Sequence, residues 1–137
     1  MYKRQSKEED EQIRYYSGTA VYKTTFRWKS KVKEDQQVYL NLGKVCDLAT
    51  VRVNGIDCGT IWTAPYRADI TAALKKGVNE LEIEVTNTWA NALKGADEGK
   101  APFDGIWTNA KYRRAENTLL PAGLLGPLNF DVANKNK

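Results

Sequence analysis

The sequence predicts an all-β sandwich with little helix. Three observations carry that prediction: an Asn54-Gly55 dipeptide between alternating apolar residues, a clean two-residue alternation through residues 80–85, and no sustained 3.6-residue period. At 137 residues, with 42% hydrophobic and 28% charged residues, the chain is globular in composition and large enough for one domain core.

The elements follow in chain order. Residues 6–14 are helix-compatible but polar on every side. They read as a linker or frayed approach, so residues 1–14 are taken as a charged lead and residues 15–137 as the domain. In TAVYKTTFRW (19–28), Ala20, Tyr22, Thr24, Phe26 and Trp28 share one face, with Lys23 and Arg27 on the other. QVYLNL groups Val38, Leu40 and Leu42. In VRVNGIDCG (51–59), Asn-Gly demands positive φ at both central positions, which marks a type I′ hairpin. A two-residue turn sets Val53 opposite Ile56, Arg52 opposite Asp57 and Val51 opposite Cys58. Val51, Val53, Ile56 and Cys58 then share a buried face, while Arg52 and Asp57 form an opposite-charge pair on the other.

YRADIT (66–71) is a further strand, and TAALKK (71–76) forms one helical turn closed by Gly77 as a C-cap. NELEIEVTN points Leu81, Ile83 and Val85 inward and Glu80, Glu82 and Glu84 to water. GPLNFDV repeats the pattern with Leu128, Phe130 and Val132. About seven or eight short strands separated by turn signals argue for a sandwich. Between Thr86 and Pro127 lie about forty residues with no sustained period, a length that is functional or docked more often than idle.

Composition excludes several chemistries. There is no histidine, which removes the commonest general base and metal ligand. Two cysteines are too few for a disulfide framework. The hairpin register sets Cys46 near Thr63 rather than Cys58, so both read as reduced, with Cys58 buried. The net charge of +4 is mild, acids are interleaved with bases, and no basic block or RNA-binding signature appears, which disfavours nucleic acid. No apolar run approaches the ~18 residues of a membrane helix, and the first fourteen residues carry no secretion signal.

Four segments, YYSGTAVYKTTF (15–26), VRVNGIDCGTIWTAPYRADIT (51–71), KKGVNELEIEVTNTWANALKG (75–95) and LLPAGLLGPL (119–128), together resemble the galactose-binding-like, jelly-roll domain of family 2 glycoside hydrolases. The phrases around Trp62, Trp89 and AGLLGP are more similar still to the C-terminal module of large enzymes resembling family 106 α-L-rhamnosidases. The resemblance implies a non-catalytic accessory domain of a polysaccharide-degrading enzyme, with the catalytic carboxylates elsewhere in the parent chain. It implies a secreted or periplasmic parent, whose catalytic and neighbouring domains, and oligosaccharide, are the expected partners. Nucleic acid and membrane are not expected partners. The alternative is a purely structural interdomain module without sugar affinity.

A sugar site needs an aromatic platform fringed by amide, acid or guanidinium groups. Trp62, Tyr66, Trp89, Asn91, Trp107, Asn109, Tyr112, Arg113 and Arg114 supply that chemistry, and Asn87 with Asn91 flanks Trp89. Each has a plainer reading. Trp28 packs at its strand end. Trp62 and Trp89 pack or meet a neighbouring domain, and Trp62, just before Pro65, closes the core rim. Asn87 and Asn91 cap or turn the chain. Arg113-Arg114 is a solvated pair or an interdomain ion-pair donor. The carboxylates of the irregular stretch, Asp97, Glu98, Asp104 and Glu116, read as solvated loop charge, and Ser17-Gly18 is no nucleophile elbow. No cofactor is expected. A structural calcium is the one open question, and no loop has the dense oxygen spacing of such a site.

Overall fold

The structure, a computed structural model, describes residues 9–100, 104–109 and 119–135. Among the described residues, two short helices and nine strands follow in the order α1 (Glu11–Arg14), β1 (Thr19–Trp28), β2 (Gln36–Asn41), β3 (Val45–Cys46), β4 (Leu48–Val53), β5 (Ile56–Ile61), β6 (Arg67–Asp69), β7 (Gly77–Thr86), α2 (Ala90–Asp97), β8 (Gly123–Leu124) and β9 (Asn129–Asn134). A four-stranded sheet, β1-β7-β4-β5, faces a three-stranded sheet, β6-β2-β9, and β3 pairs with β8 in a small third sheet. All the strand pairs are antiparallel. The all-β jelly-roll sandwich with little helix expected from the sequence is the fold the chain adopts.

Alternation explains the core. Leu81, Ile83 and Val85 of β7, Val51 and Val53 of β4, and Val38 and Leu40 of β2 are buried in one cluster with Leu42, Ile70 and Leu124. On β1, Tyr22 stands opposite Ile83 and Phe26 opposite Asn79, so its inward face joins the same core. The other face of β7 carries charge. Glu82 pairs with Lys23 at 3.0 Å and with Arg52 at 3.1 Å, and Arg52 reaches Glu84 at 2.8 Å. The expected Arg52–Asp57 pair is therefore replaced. The register does set the two opposite each other, but two glutamates on the central strand outcompete one aspartate on an edge strand. Nor do Glu82 and Glu84 stand free in water.

The hairpin holds its turn, with Asn54 at φ 52° and Gly55 at φ 77°. Val53 opposes Ile56 and Arg52 opposes Asp57 as read from the sequence, but the ladder then slips to Thr50 opposite Thr60. One extra residue at Cys58-Gly59 makes a β-bulge across from Val51, with Gly59 at φ 109° and its amide donating to Asp57 Oδ1 at 2.8 Å. This bulge, on an edge strand, corrects two expectations. Cys58 is only partly buried, and Ile56 is exposed rather than part of the core. Cys46 is the buried cysteine, and it opposes Gly123 through β3 and β8, not Thr63. Neither cysteine is in a disulfide, and burial pushes the Cys58 thiol upward.

Three further expectations change. Residues 71–76 make a single turn, with Ala73 and Leu74 donating to the Ile70 carbonyl, and Gly77 opens β7 rather than capping a helix. On β9, Phe130 and Val132 remain substantially exposed because the strand is an edge. Phe130 is covered by Phe26 at 4.8 Å and by Trp28 at 5.4 Å between ring centres, while Leu128 packs on the core. Helix α2 lies inside the stretch that shows no period in sequence.

Asn79 fixes one end of the sandwich. Fully buried, its carbonyl accepts from Asn54 Nδ2 (2.8 Å) and the Lys75 amide (2.9 Å), while its amide group donates to the carbonyls of Lys75 (2.8 Å) and Gly77 (3.0 Å). The hairpin tip and the 71–77 turn are thus tied through one side chain. Ile83→Ala in the middle of β7 should cost about 2–5 kcal/mol in a urea denaturation series, with the transition remaining cooperative.

Candidate functional site

The strands deliver two unlike ends. At one lie the β1–β2 loop, the hairpin tip, the 71–76 turn and the end of β9. At the other lie the segments 42–47, 62–66 and the described residues between β7 and β9. The tryptophans of the candidate set are at this second end.

Beside the buried Leu42, Val45 and Leu124, this end is tied together by side-chain hydrogen bonds. Ser17 Oγ donates to the Thr88 carbonyl at 2.8 Å and accepts from the Ala92 amide at 3.3 Å. Asn87 donates to the Tyr16 carbonyl and accepts from the Gly18 amide, both at 2.8 Å. Asn91 grips the backbone of Leu120 from both sides, at 2.9 and 2.8 Å. A Cβ built on Gly95 would lie 2.9 Å from the Tyr15 ring, so α2 seats against that ring only through a glycine. Tyr15 donates its phenol to Glu98 at 2.9 Å, and the nearly buried Lys94 ammonium meets the same carboxylate at 2.7 Å. The Lys94 contact, then the Tyr15 hydroxyl, holds the Glu98 carboxyl below its usual range, and burial holds the Tyr15 phenol above its own.

On this frame the indoles project outward. Trp89 is 57% exposed, Trp62 70% and Trp107 81%. Trp89 and Trp107 wall a groove of about 480 Å³ with Leu93, Asp104, Ile106 and Thr108. Leu93 belongs to the same surface because α2 carries it one turn beyond Trp89, its amide donating to the Trp89 carbonyl at 2.9 Å. That four-residue spacing was the available signal for Leu93, and Ile106 had none. Trp62 is not in the groove wall, and its exposure does not close a core rim. Tyr66 packs against the core with its ring partly buried, and Asn109 is exposed. Asn87 and Asn91 hold backbone rather than facing the groove. Tyr112, Arg113, Arg114, Phe103 and Glu116 lie outside the described residues.

The arrangement offers two flat apolar faces, an aspartate and a hydroxyl-bearing side chain in one open groove. Among the described residues no three Cys, Asp or Glu side chains converge as a metal cage, and no helix is long and apolar enough to cross a membrane. A larger depression of about 670 Å³ on the outer face of the four-stranded sheet is lined by Lys23, Arg52 and Glu82, whose charges already satisfy one another.

Comparison with known proteins gives one consistent picture. The family model described as glycosyl hydrolase 2 galactose-binding domain-like matches residues 3–118. A protein of Formosa agariphila, provisionally named a beta-glucuronidase, is 39% identical over 149 aligned positions, which cover 90% of this chain and 13% of that one. Among solved structures, a rhamnosidase from Novosphingobium sp. PP1Y superposes with a TM-score of 0.81 at 42% identity, over 95% of this chain and 12% of its own. An FMN-binding beta-glucuronidase from Facaelibacterium prausnitzii L2-6 follows with a TM-score of 0.58 at 26% identity, over 87% of this chain and 16% of its own. The chain therefore spans only a small part of each of these glycoside hydrolases.

Replacing Glu98 by Gln should lower the melting temperature at neutral pH by removing the carboxylate that Lys94 meets at 2.7 Å. The folded carboxyl is shifted downward, so its stabilisation is present at neutral pH and lost as pH falls through and below the usual carboxylate range. The gap in melting temperature between the two proteins should accordingly close on acidification, as followed by thermal scans across pH.

Proposed function

This chain belongs to the glycosyl hydrolase 2 galactose-binding domain-like family, and we propose that it serves as a non-catalytic accessory domain of a larger, exported glycoside hydrolase, meeting glycan at its aromatic end. The observation that carries this reading is the pair of exposed indoles, Trp89 and Trp107, walling one groove beside Asp104. Pyranose rings stack their C–H faces on indole and present hydroxyls at the edge, where a carboxylate and a threonine can accept or donate. The names of its relatives point to rhamnose- or glucuronate-bearing oligosaccharides as the first ligands to try.

Support for a holding rather than cutting role comes from the acids. Glycoside hydrolysis uses two carboxyl groups, about 5–10 Å apart, of which one must donate a proton. Glu98 is kept ionised by Lys94 and Tyr15, which is the wrong state for a proton donor. Of the other described acids in that stretch, Asp97 and Asp104, only Asp104 lines the groove.

A second reading has its own observation. Trp62 stands 70% exposed and apart from the groove, as an indole covered by a neighbouring domain of the parent chain would. In that case the module buttresses the catalytic domain.

Calorimetric titration separates the two. If the groove takes sugar, rhamnose- or glucuronate-terminated oligosaccharides should bind, and Trp107→Ala should weaken binding by roughly tenfold or more while Trp62→Ala leaves it unchanged. Absence of binding across both classes would remove the glycan reading and leave the buttressing one.

A further inference from the structure

The opposite end of the sandwich carries a different chemistry. A shallow depression of about 450 Å³ there is lined by ten residues, of which five are lysines: Lys31, Lys33, Lys75, Lys76 and Lys135. They come from three separate parts of the chain. The β1–β2 loop gives two, the 71–76 turn gives two, and the last turn after β9 gives one. All five are exposed, and among the described residues none of them enters an ion pair. The acid in the lining is Glu34. The floor is partly apolar, since Val32 and Leu74 pack down onto the core.

The scaffold beneath these lysines is fixed. Asn79 binds the Lys75 backbone through both its amide and its carbonyl, and Asn54 Nδ2 donates to the Ala73 carbonyl at 2.8 Å. Thr71 Oγ1 accepts from the Val38 amide at 2.9 Å, and the Lys135 amide donates to the Asp35 carbonyl at 2.6 Å, which brings the residue after β9 against the β1–β2 loop. Gln36 Oε1 accepts from the Lys33 amide at 3.3 Å. The Thr71 and Gln36 side chains are thus already engaged internally, and the ammonium groups are left to meet a ligand.

Five like charges gathered around a single acid repel one another, and a bound anion relieves that repulsion. We propose that this lysine-lined depression binds an acidic polysaccharide, one that carries carboxylate or sulfate groups along its chain. The other polyanion partners fit less well. A nucleic-acid strand calls for aromatic side chains to stack bases, and none lines the depression. A protein partner calls for a largely apolar contact in which lysine is depleted, whereas half of this lining is lysine. Lysine rather than arginine suits diffuse attraction to spaced charges over bidentate recognition of one group. The proposal concerns the end away from the indoles and stands whether or not the aromatic groove takes a sugar.

The test uses the 137-residue chain with polygalacturonate for carboxylate, dextran sulfate for sulfate, neutral dextran as the uncharged polymer and single-stranded DNA as the competing polyanion. Binding is read by affinity electrophoresis and titration at low and moderate salt. At least one acidic polysaccharide should bind with affinity that falls as salt rises, and neutral dextran should not. The double variants Lys31→Gln/Lys33→Gln and Lys75→Gln/Lys76→Gln should each weaken binding by roughly tenfold, the order expected for two lost charge contacts to a polyanion. Lys44→Gln/Lys100→Gln, which removes the same charge elsewhere, should leave it unchanged, and circular dichroism should show every variant folded. Preference for one of the two polymers identifies the acidic group and supports the proposal. Equal weakening in all three doubles would reduce the effect to net charge and overturn it. So would failure of both acidic polysaccharides to bind, or tighter binding of DNA with the same lysine dependence.

Discussion

Strand β7 is the constraint on which the rest of the molecule depends. It is paired with β1 along its whole length and with β4 from Leu81 to Thr86. One face supplies Leu81, Ile83 and Val85 to the core, and the other supplies the two glutamates that gather Lys23 and Arg52. Asn79, its third residue, ties down the lysine-bearing turn, and Thr86, its last, leads into the segment that carries Trp89. A slip of one residue in this strand would exchange the two faces, placing glutamates in the core and aliphatic groups among cations. The charge ladder and the apolar core therefore specify the same register from opposite sides.

The two ends are stabilised by different means. At the lysine end the backbone is fixed by two asparagines whose hydrogen bonds close the hairpin tip onto the adjacent turn. At the indole end the chain is stitched by Ser17, Asn87 and Asn91 and by the Tyr15–Glu98–Lys94 cluster, with Gly95 allowing the close approach. At both ends these bonds fix the backbone, which leaves outward side chains available for surface chemistry. Membership in a domain family found within much larger glycoside hydrolases gives that chemistry its context.

What could be read from sequence divides along physical lines. Period-two alternation in β2, β4 and β7 and the Asn54-Gly55 turn report backbone geometry directly, so the sandwich and the hairpin were legible. The bulge at Cys58-Gly59 was not drawn, although a glycine inside a strand pattern is its usual signal. Helix α2 was hidden because its buried face is Asn91, Ala92, Lys94 and Gly95, which shows no apolar stripe. The acidic partners of Arg52 depend on which strand lies next to β4, a fact of topology rather than local pattern. The lysine depression was illegible for the same reason. Its members sit at positions 31, 33, 75, 76 and 135, and only the folded sheet order brings them together. Of the sugar-site candidates, the fold unites Trp89 and Trp107, while it turns the two asparagines inward to structural duty.

Amide hydrogen exchange tests the role of β7 most directly. If β7 organises the molecule, the amides of Leu81, Ile83 and Val85 should exchange only through global unfolding, with an opening free energy equal to the stability measured by denaturant. The amides of α2 should open at lower cost. Exchange of the β7 amides faster than those of α2 would contradict the account, because the central strand would then be free to open while the segment it supports stays closed.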